Sequence, residues 1–343
     1  MTDKIKDGPF ESYYPNGQLR LKGTRKDGVW DGPFETYHKN GQLGLKGTYK
    51  EGVLDGPFET YQENGHLSRK GVYKDGFGYE PFESYWDNGQ LKEKGTKKDW
   101  EWDGPYESYH KNGQLRLKGT WKDGEWDGPY ELYQENGQLQ EKGTKKDGEW
   151  DGPYELYQEN GQLKERYTYK NGEFDGPWEL YDDTGQLQEK GTKKDGEWDG
   201  PYKSYHENGR IEIEGTYKDG EWDGPVVEYY DHSNHPSSYP HHNIPSSVPL
   251  LLLTLPPSQT KVEMTYKEGV LDGPYRSYYE DGQVFVITKY KDGELDGSYE
   301  FYDDDGELME KGTCNDGERC GEWYDYGETV TYDPCPPDLE GGN

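Results

Sequence analysis

The sequence predicts an all-β protein, an elongated single-layer antiparallel sheet of stacked 24-residue β-hairpin repeats, and three observations carry that expectation. A glycine recurs at Gly8, Gly32, Gly56, Gly104, Gly128, Gly152, Gly176, Gly200 and Gly224, then at Gly273, Gly297 and Gly321, at a spacing of 24 residues skipped once and broken once. Such self-similarity marks an array that grows in one dimension. Each period also holds two turn dipeptides, Asn136-Gly137 and Asp147-Gly148 in the repeat that opens at Gly128, and both favour two-residue hairpin turns with positive φ at the two central residues. Composition agrees. Only 29% of residues are hydrophobic and aromatics alone make 15%, so a thick aliphatic core is not available.

We number each repeat from its glycine as position 0. Turns at positions 8–9 and 19–20 leave short strands, which suit an antiparallel meander. A two-residue turn at 8–9 sets positions that sum to 17 opposite each other. Position 3 then faces position 14, as in Glu131 with Lys142, Glu155 with Arg166, and Lys203 with Glu214, where the signs are exchanged. Complementary pairs of this kind stabilise adjacent strands. The same register lays the aromatic of position 2 over the glycine of position 15, as in Tyr130 with Gly143.

Strand alternation assigns the faces. Positions 22, 0, 2, 11 and 15 share one side, which carries Leu139 and its equivalents and a row of rings. Trp30, Phe34, Trp102, Tyr106, Trp126, Tyr130, Trp150, Tyr154, Trp198, Tyr202 and Trp222 form this candidate partner-binding face. Positions 3, 5, 14 and 16 share the other side, with a tyrosine at position 5 from Tyr13 to Tyr326. Packing on the stems of position 12, such as Arg116 and Lys164, is the expectation for these tyrosines.

In chain order, residues 1–7 are a polar lead-in and 8–230 the regular array. Its one blemish is the repeat at Glu80, where Gly78 and Trp100 also depart from the pattern, and it should be the weakest. Residues 231–264 are rich in Pro, Ser and His and read as an irregular segment. Gly224 to Gly273 is 49 residues, two periods and one residue, which suggests a repeat whose content was replaced, with a recruited loop as the rival. His232, His235, His241 and His242 lie here without Cys or carboxylate partners at metal spacing, so a solvated loop is expected. Residues 265–327 are degenerate repeats in which Arg276 has no acid across its hairpin, and 328–343 read as a polar cap and disordered tail. Cys314 and Cys320 read as incidental thiols, and Cys335 completes an odd, sparse set. With no apolar leader, they fit a reducing cytoplasm.

Charge narrows the function. With 70 acidic against 39 basic residues the net charge is -31, which repels phosphate backbones and anionic lipid. The polar residues repeat uniformly and converge on no pocket, so no catalytic residue, metal or cofactor is expected. An extended protein-binding surface remains, its partner a basic protein or a second copy that closes the aromatic face as a homodimer. A self-associating scaffold or spacer is the alternative, with peripheral membrane attachment through exposed Trp the weaker option.

The unit G-P-aromatic-E-x-Y-x-x-N-G-Q-L-x-x-x-G-x-x-K-D-G-x-x-D resembles the variant MORN (membrane occupation and recognition nexus) repeat, notably the bacterial group labelled YwqK-type toxin-antitoxin antitoxins. The resemblance covers nearly all of the chain outside 231–264 and the tail. It implies a MORN-like meander of stacked hairpins and either an antitoxin or a scaffold role. An acidic antitoxin would neutralise a basic toxin.

Overall fold

The computed structural model describes residues 6–99, 101–231 and 259–337, and among them every regular element is a strand. The chain forms two compact units, Met1–Leu163 with Tyr169–Gly172, and Lys164–Thr168 with Glu173–Asn343. Within each, hydrogen-bonded antiparallel strands follow one another in chain order. The sheet is one layer thick, which is the predicted architecture.

The two turns of a repeat are different in kind. Asp147-Gly148 is a two-residue turn with both φ positive, 48° and 83°. At the other turn only the glycine is positive, as in Gly17 at 85°. Tyr14 N–H donates to the Gln18 carbonyl, and Gly17 N–H donates to the Tyr14 carbonyl. That is a three-residue loop, a tight turn closed by a left-handed glycine, and Pro15 suits its first central position. The expected two-residue Asn-Gly turn is therefore corrected.

The register nonetheless matches the sum of 17 over most of the hairpin. Ser12 faces Leu21 but Tyr13 faces Leu19, so Arg20 is an extra residue, a β-bulge that restores the count lost at the turn. The same shift repeats at Leu132/Tyr133 and Ser204/Tyr205. It also corrects the faces. Tyr133 and Leu139 are Cα partners, and directly opposed residues share a side, so the position 11 leucines lie with the tyrosines and not with the aromatic row.

The interrupted repeat closes in the second unit. The strand Gly224–Tyr229 pairs with Thr260–Lys267, Val226 opposite Met264, and Tyr230 N–H donates to the Gln259 carbonyl. This is the ordinary hairpin with a long connection where the other repeats have three residues. The boundary at 264 is corrected accordingly: the pattern resumes at Gln259. Residues 232–258, with the four histidines, lie outside the described residues, as does Trp100.

The C-terminal end departs from the expected tail. Glu328–Thr331 is a strand paired with Glu318–Asp325, and Cys320 is joined to Cys335 by a disulfide. Two of the three cysteines are thus not free thiols, and the reducing-compartment argument loses that premise. Cys314 is free and buried.

Candidate functional site

The aromatic face is built by glycine. A Cβ on Gly119 would lie 2.6 Å from the Trp126 ring, so only glycine at position 15 lets the position 22 indole lie flat across the strand. Pairing sets Tyr106 opposite Gly119, as the register predicted, and Tyr130 on its other side. In the first unit the rings then run edge to face: Phe82 to Trp102 at 5.6 Å, Trp102 to Tyr106 at 4.7 Å, Tyr106 to Trp126 at 5.8 Å, Trp126 to Tyr130 at 5.3 Å, Tyr130 to Trp150 at 5.2 Å and Trp150 to Tyr154 at 4.7 Å. Phe10, Trp30 and Phe34 form a shorter run, at 5.7 and 5.0 Å. In the second unit Trp198 meets Tyr202 at 5.1 Å and Tyr202 meets Trp222 at 5.6 Å. T-shaped contacts suit the ring quadrupoles.

None of the eleven predicted rings is fully exposed. Phe34, Tyr106 and Tyr154 are buried and the other eight half-buried. Part of the cover comes from position 17, which the sequence reading left out although it lies two residues beyond position 15 on the same strand. In the first unit Lys97 and Lys145 stand 4.3 and 4.4 Å over Trp102 and Trp150, and Arg25 stands 4.4 Å over Trp30. Lys193 does the same to Trp198 at 4.6 Å in the second unit. In other repeats position 17 is itself aromatic: Trp121 lies 4.0 Å from Trp126 and Tyr217 stacks 3.8 Å from Trp222. From Lys97 to Tyr217 cation and ring alternate strictly, through Trp121, Lys145, Tyr169 and Lys193. Burial pushes the Tyr106 phenol up to about 12, with Glu93 adding to it.

The opposite face is an ionic row. Lys22, Lys46, Lys70, Lys94 and Lys142 bond Glu35, Glu59, Glu83, Glu107 and Glu155 at 2.6–2.9 Å. Arg166 bonds Glu179 at 3.1 Å. These partners belong to the following hairpin. Each position 14 residue has a position 3 residue as Cα partner on both sides, as Lys118 has Glu107 and Glu131; the sequence reading saw the neighbour across the first turn alone. Glu131 itself is held by the Tyr133 hydroxyl at 2.7 Å. Where signs are exchanged or the array degenerates the bond closes within the hairpin, as for Lys203 with Glu214 at 2.5 Å and Lys311 with Glu300 at 2.9 Å. The ammonium of Lys46 holds the Glu59 carboxyl below the usual range, and Lys203 does the same to Glu214.

The position 5 tyrosines cap this row rather than packing on position 12. Their hydroxyls donate to the adjacent glutamate, as Tyr37 to Glu35 and Tyr109 to Glu107. Burial and the Glu131 bond push Tyr133 up to about 12. Position 6 also bonds forward: the Tyr14 hydroxyl donates to the Tyr37 carbonyl at 2.7 Å and the Trp86 indole to the Tyr109 carbonyl at 3.1 Å. His38 and His110 bridge to the Tyr61 and Tyr133 carbonyls. Arg276, without an acid across its hairpin, lies 3.9 Å from Glu263 of the preceding one.

Against known proteins, the family described as MORN repeat variant matches residues 6–27, 30–51, 54–75, 81–98, 102–123, 126–147, 150–171, 174–195, 198–219, 271–292 and 295–315. No curated protein matches the chain. Among solved structures, the crystal structures of TcdB2-TccC3 and of TcdB2-TccC3-Cdc42 each match at 11% identity and a TM-score of 0.18, over 94% of this chain and 20% of theirs. The crystal structure of TcdB2-TccC3-TEV matches at 13% identity, with the same TM-score and coverage. The chain thus spans about a fifth of the length of those chains.

Proposed function

The chain belongs to the family of MORN repeat variants, and from that premise we propose that it is a non-catalytic protein whose aromatic row is an extended binding surface for a basic protein. The observation that carries this reading is the half-buried state of the rings. Trp102, Trp126 and Trp150 stay only half-buried although their neighbours pack against them, and partly exposed Trp and Tyr are the side chains that anchor interfaces. Charge selects the partner. Beside Trp126 and Trp150, the second turns present Asp123, Glu125, Asp147 and Glu149, all exposed, and a surface of this sign steers cationic partners. Neutralisation of a basic toxin, in the manner of an antitoxin, is one form such binding would take.

The tagged chain, incubated with its native extract and washed at low and then high salt, is expected to retain a basic protein that high salt releases. Trp126→Ala with Trp150→Ala should abolish retention while circular dichroism still shows the sheet. Recovery of the chain alone, together with a dimer in light scattering at low micromolar concentration, would overturn this reading in favour of a scaffold that closes the row on a second copy.

A further inference from the structure

The ionic row has one fault. Across successive strands it alternates in sign, with acid at position 3 and base at position 14, until Lys190 meets Lys203 as its Cα partner. Beyond that junction the phase is reversed. Glu214 follows Lys203, and Glu263 precedes Arg276. The normal order returns only after Ile287, with Glu300 and Lys311. The exchanged pair read from the sequence is therefore the start of an inverted segment, and Lys190 beside Lys203 is its wall.

The wall changes what the tyrosine finds. Tyr13, Tyr37, Tyr61, Tyr85, Tyr109, Tyr133, Tyr157, Tyr181 and Tyr302 each donate to the glutamate two residues before them. In the inverted segment Tyr229 and Tyr278 instead reach Glu214 and Glu263 of the preceding strand. Tyr205 has a lysine in both places. Lys203 turns away to Glu214 at 2.5 Å, and Glu179, on the other side of Lys190, is held by Arg166 at 3.1 Å and by Tyr181 at 2.7 Å. Yet the Lys190 ammonium stands 5.9 Å from the Tyr205 ring centre, as Lys22 stands 5.8 Å from Tyr37 and Lys94 5.9 Å from Tyr109. In those two repeats a carboxylate sits between ammonium and phenol. At Tyr205 the same two donors keep the same arrangement without it.

We propose that Lys190, Lys203 and Tyr205 form a binding site for one carboxylate, presented by an acidic side chain of a partner protein and seated as Glu35 is seated between Lys22 and Tyr37. The filled repeats supply the pose: one oxygen accepts from both the lysine ammonium and the tyrosine hydroxyl, which are the charge-assisted bonds a carboxylate gains most from. Lys203 sets a second cation at the position where the regular row carries its own glutamate. The site lies on the ionic face, so it does not depend on the aromatic row as a docking surface, and the Trp126 and Trp150 variants leave it intact.

The test uses the full chain with lysine labelled at the ε carbon, titrated with sodium acetate at constant ionic strength and followed by NMR. Lys190 and Lys203 should shift several-fold more than Lys118, which has glutamates as Cα partners on both sides. Lys203→Glu places a carboxylate beside Tyr205 from within and should remove the Lys190 response. Should that variant fail to fold, Tyr205→Phe keeps both ammonium groups and should weaken the response several-fold. Equal shifts at Lys190 and Lys118 in the unsubstituted chain would overturn the site. A blocked Gly-Glu-Gly peptide should act at least as strongly as acetate; a response to acetate alone would overturn the protein source and leave a small free carboxylate as the ligand.

Discussion

The stretch around the repeat at Gly128 and the C-terminal end of the array, where Gly297 and Gly321 open the last two periods, use one pattern to different ends. In the first, Trp126 and Trp150 lie over Gly119 and Gly143 and stay half-buried although Trp121 and Lys145 cover them from the other side. In the second, Trp323 lies over Gly312 and is 1% exposed. Its indole donates to the Thr313 carbonyl at 3.0 Å, the Arg319 guanidinium stacks on it at 4.3 Å, and the Cys320–Cys335 bond holds the final segment beside it. Arg319 stands where other repeats carry Trp or Leu, and it also bonds Glu310 at 2.7 Å and Asp325 at 3.1 Å. An interior repeat leaves its rings open because its neighbours supply the support. A terminal repeat has a neighbour on one side and must close its own face, as the end units of repeat arrays generally do.

Removing rings is the strongest way to break that comparison. Trp323→Ala should destabilise the second unit by about 3–5 kcal/mol, the usual cost of emptying a buried aromatic site. Trp126→Ala should cost the first unit roughly half as much, in proportion to the area it buries. Denaturant titration of the two variants checks the order, and equal losses would mean that the terminal closure adds nothing. Next in size is the disulfide. Cys335→Ser opens a link between residues 15 apart, and a loop of that length is worth about 3 kcal/mol where it constrains the unfolded chain. The loss should appear in denaturant midpoints of the last repeats, read by Trp323 fluorescence, and reduction of the unsubstituted protein should reproduce it.

The terminal closure was the least legible part of the sequence. Cys335 lies beyond the last glycine, so periodicity gives it no partner, and Trp323 reads like any other position 2 aromatic until its glycine and arginine are placed around it. The repeat itself was legible because glycine and turn residues have few alternatives. Asp-Gly at positions 19–20 could form only one turn of the required length. Asn-Gly at positions 8–9 carries the same signal in a longer loop, and the bulge at position 12 cancelled the error for the inner strand while reversing it for Leu139. The ring row was legible from alternation, but its cover at position 17 was passed over because lysine and tyrosine at one site do not look like one role. The end of the long connection after Tyr230 was misplaced because length alone does not place it.

The smallest effect sharpens the comparison at its finest scale, the choice of ionic partner. Lys142 has Glu131 and Glu155 as Cα partners on its two sides, so register alone does not say which it bonds. The side chains do: Lys142 Nζ lies 2.8 Å from Glu155, whereas Glu131 is held by Tyr133. With side chains 44% and 19% exposed, the Lys142–Glu155 coupling should be about 0.2–1 kcal/mol, within the range of surface pairs. An alanine double-mutant cycle on Lys142 and Glu155 should find it, and the same cycle on Glu131 and Lys142 should return a value near zero. Exchanging Glu131 and Lys142 would not rescue the loss, since it sets a glutamate at 142 against Glu155. The natural exchange at Lys203 and Glu214 has that same consequence on its outer side, where Lys203 meets Lys190. A cycle that found the larger coupling at Glu131 would show that the row is bonded hairpin by hairpin, and the wall at Lys190 would then be no different from any other junction.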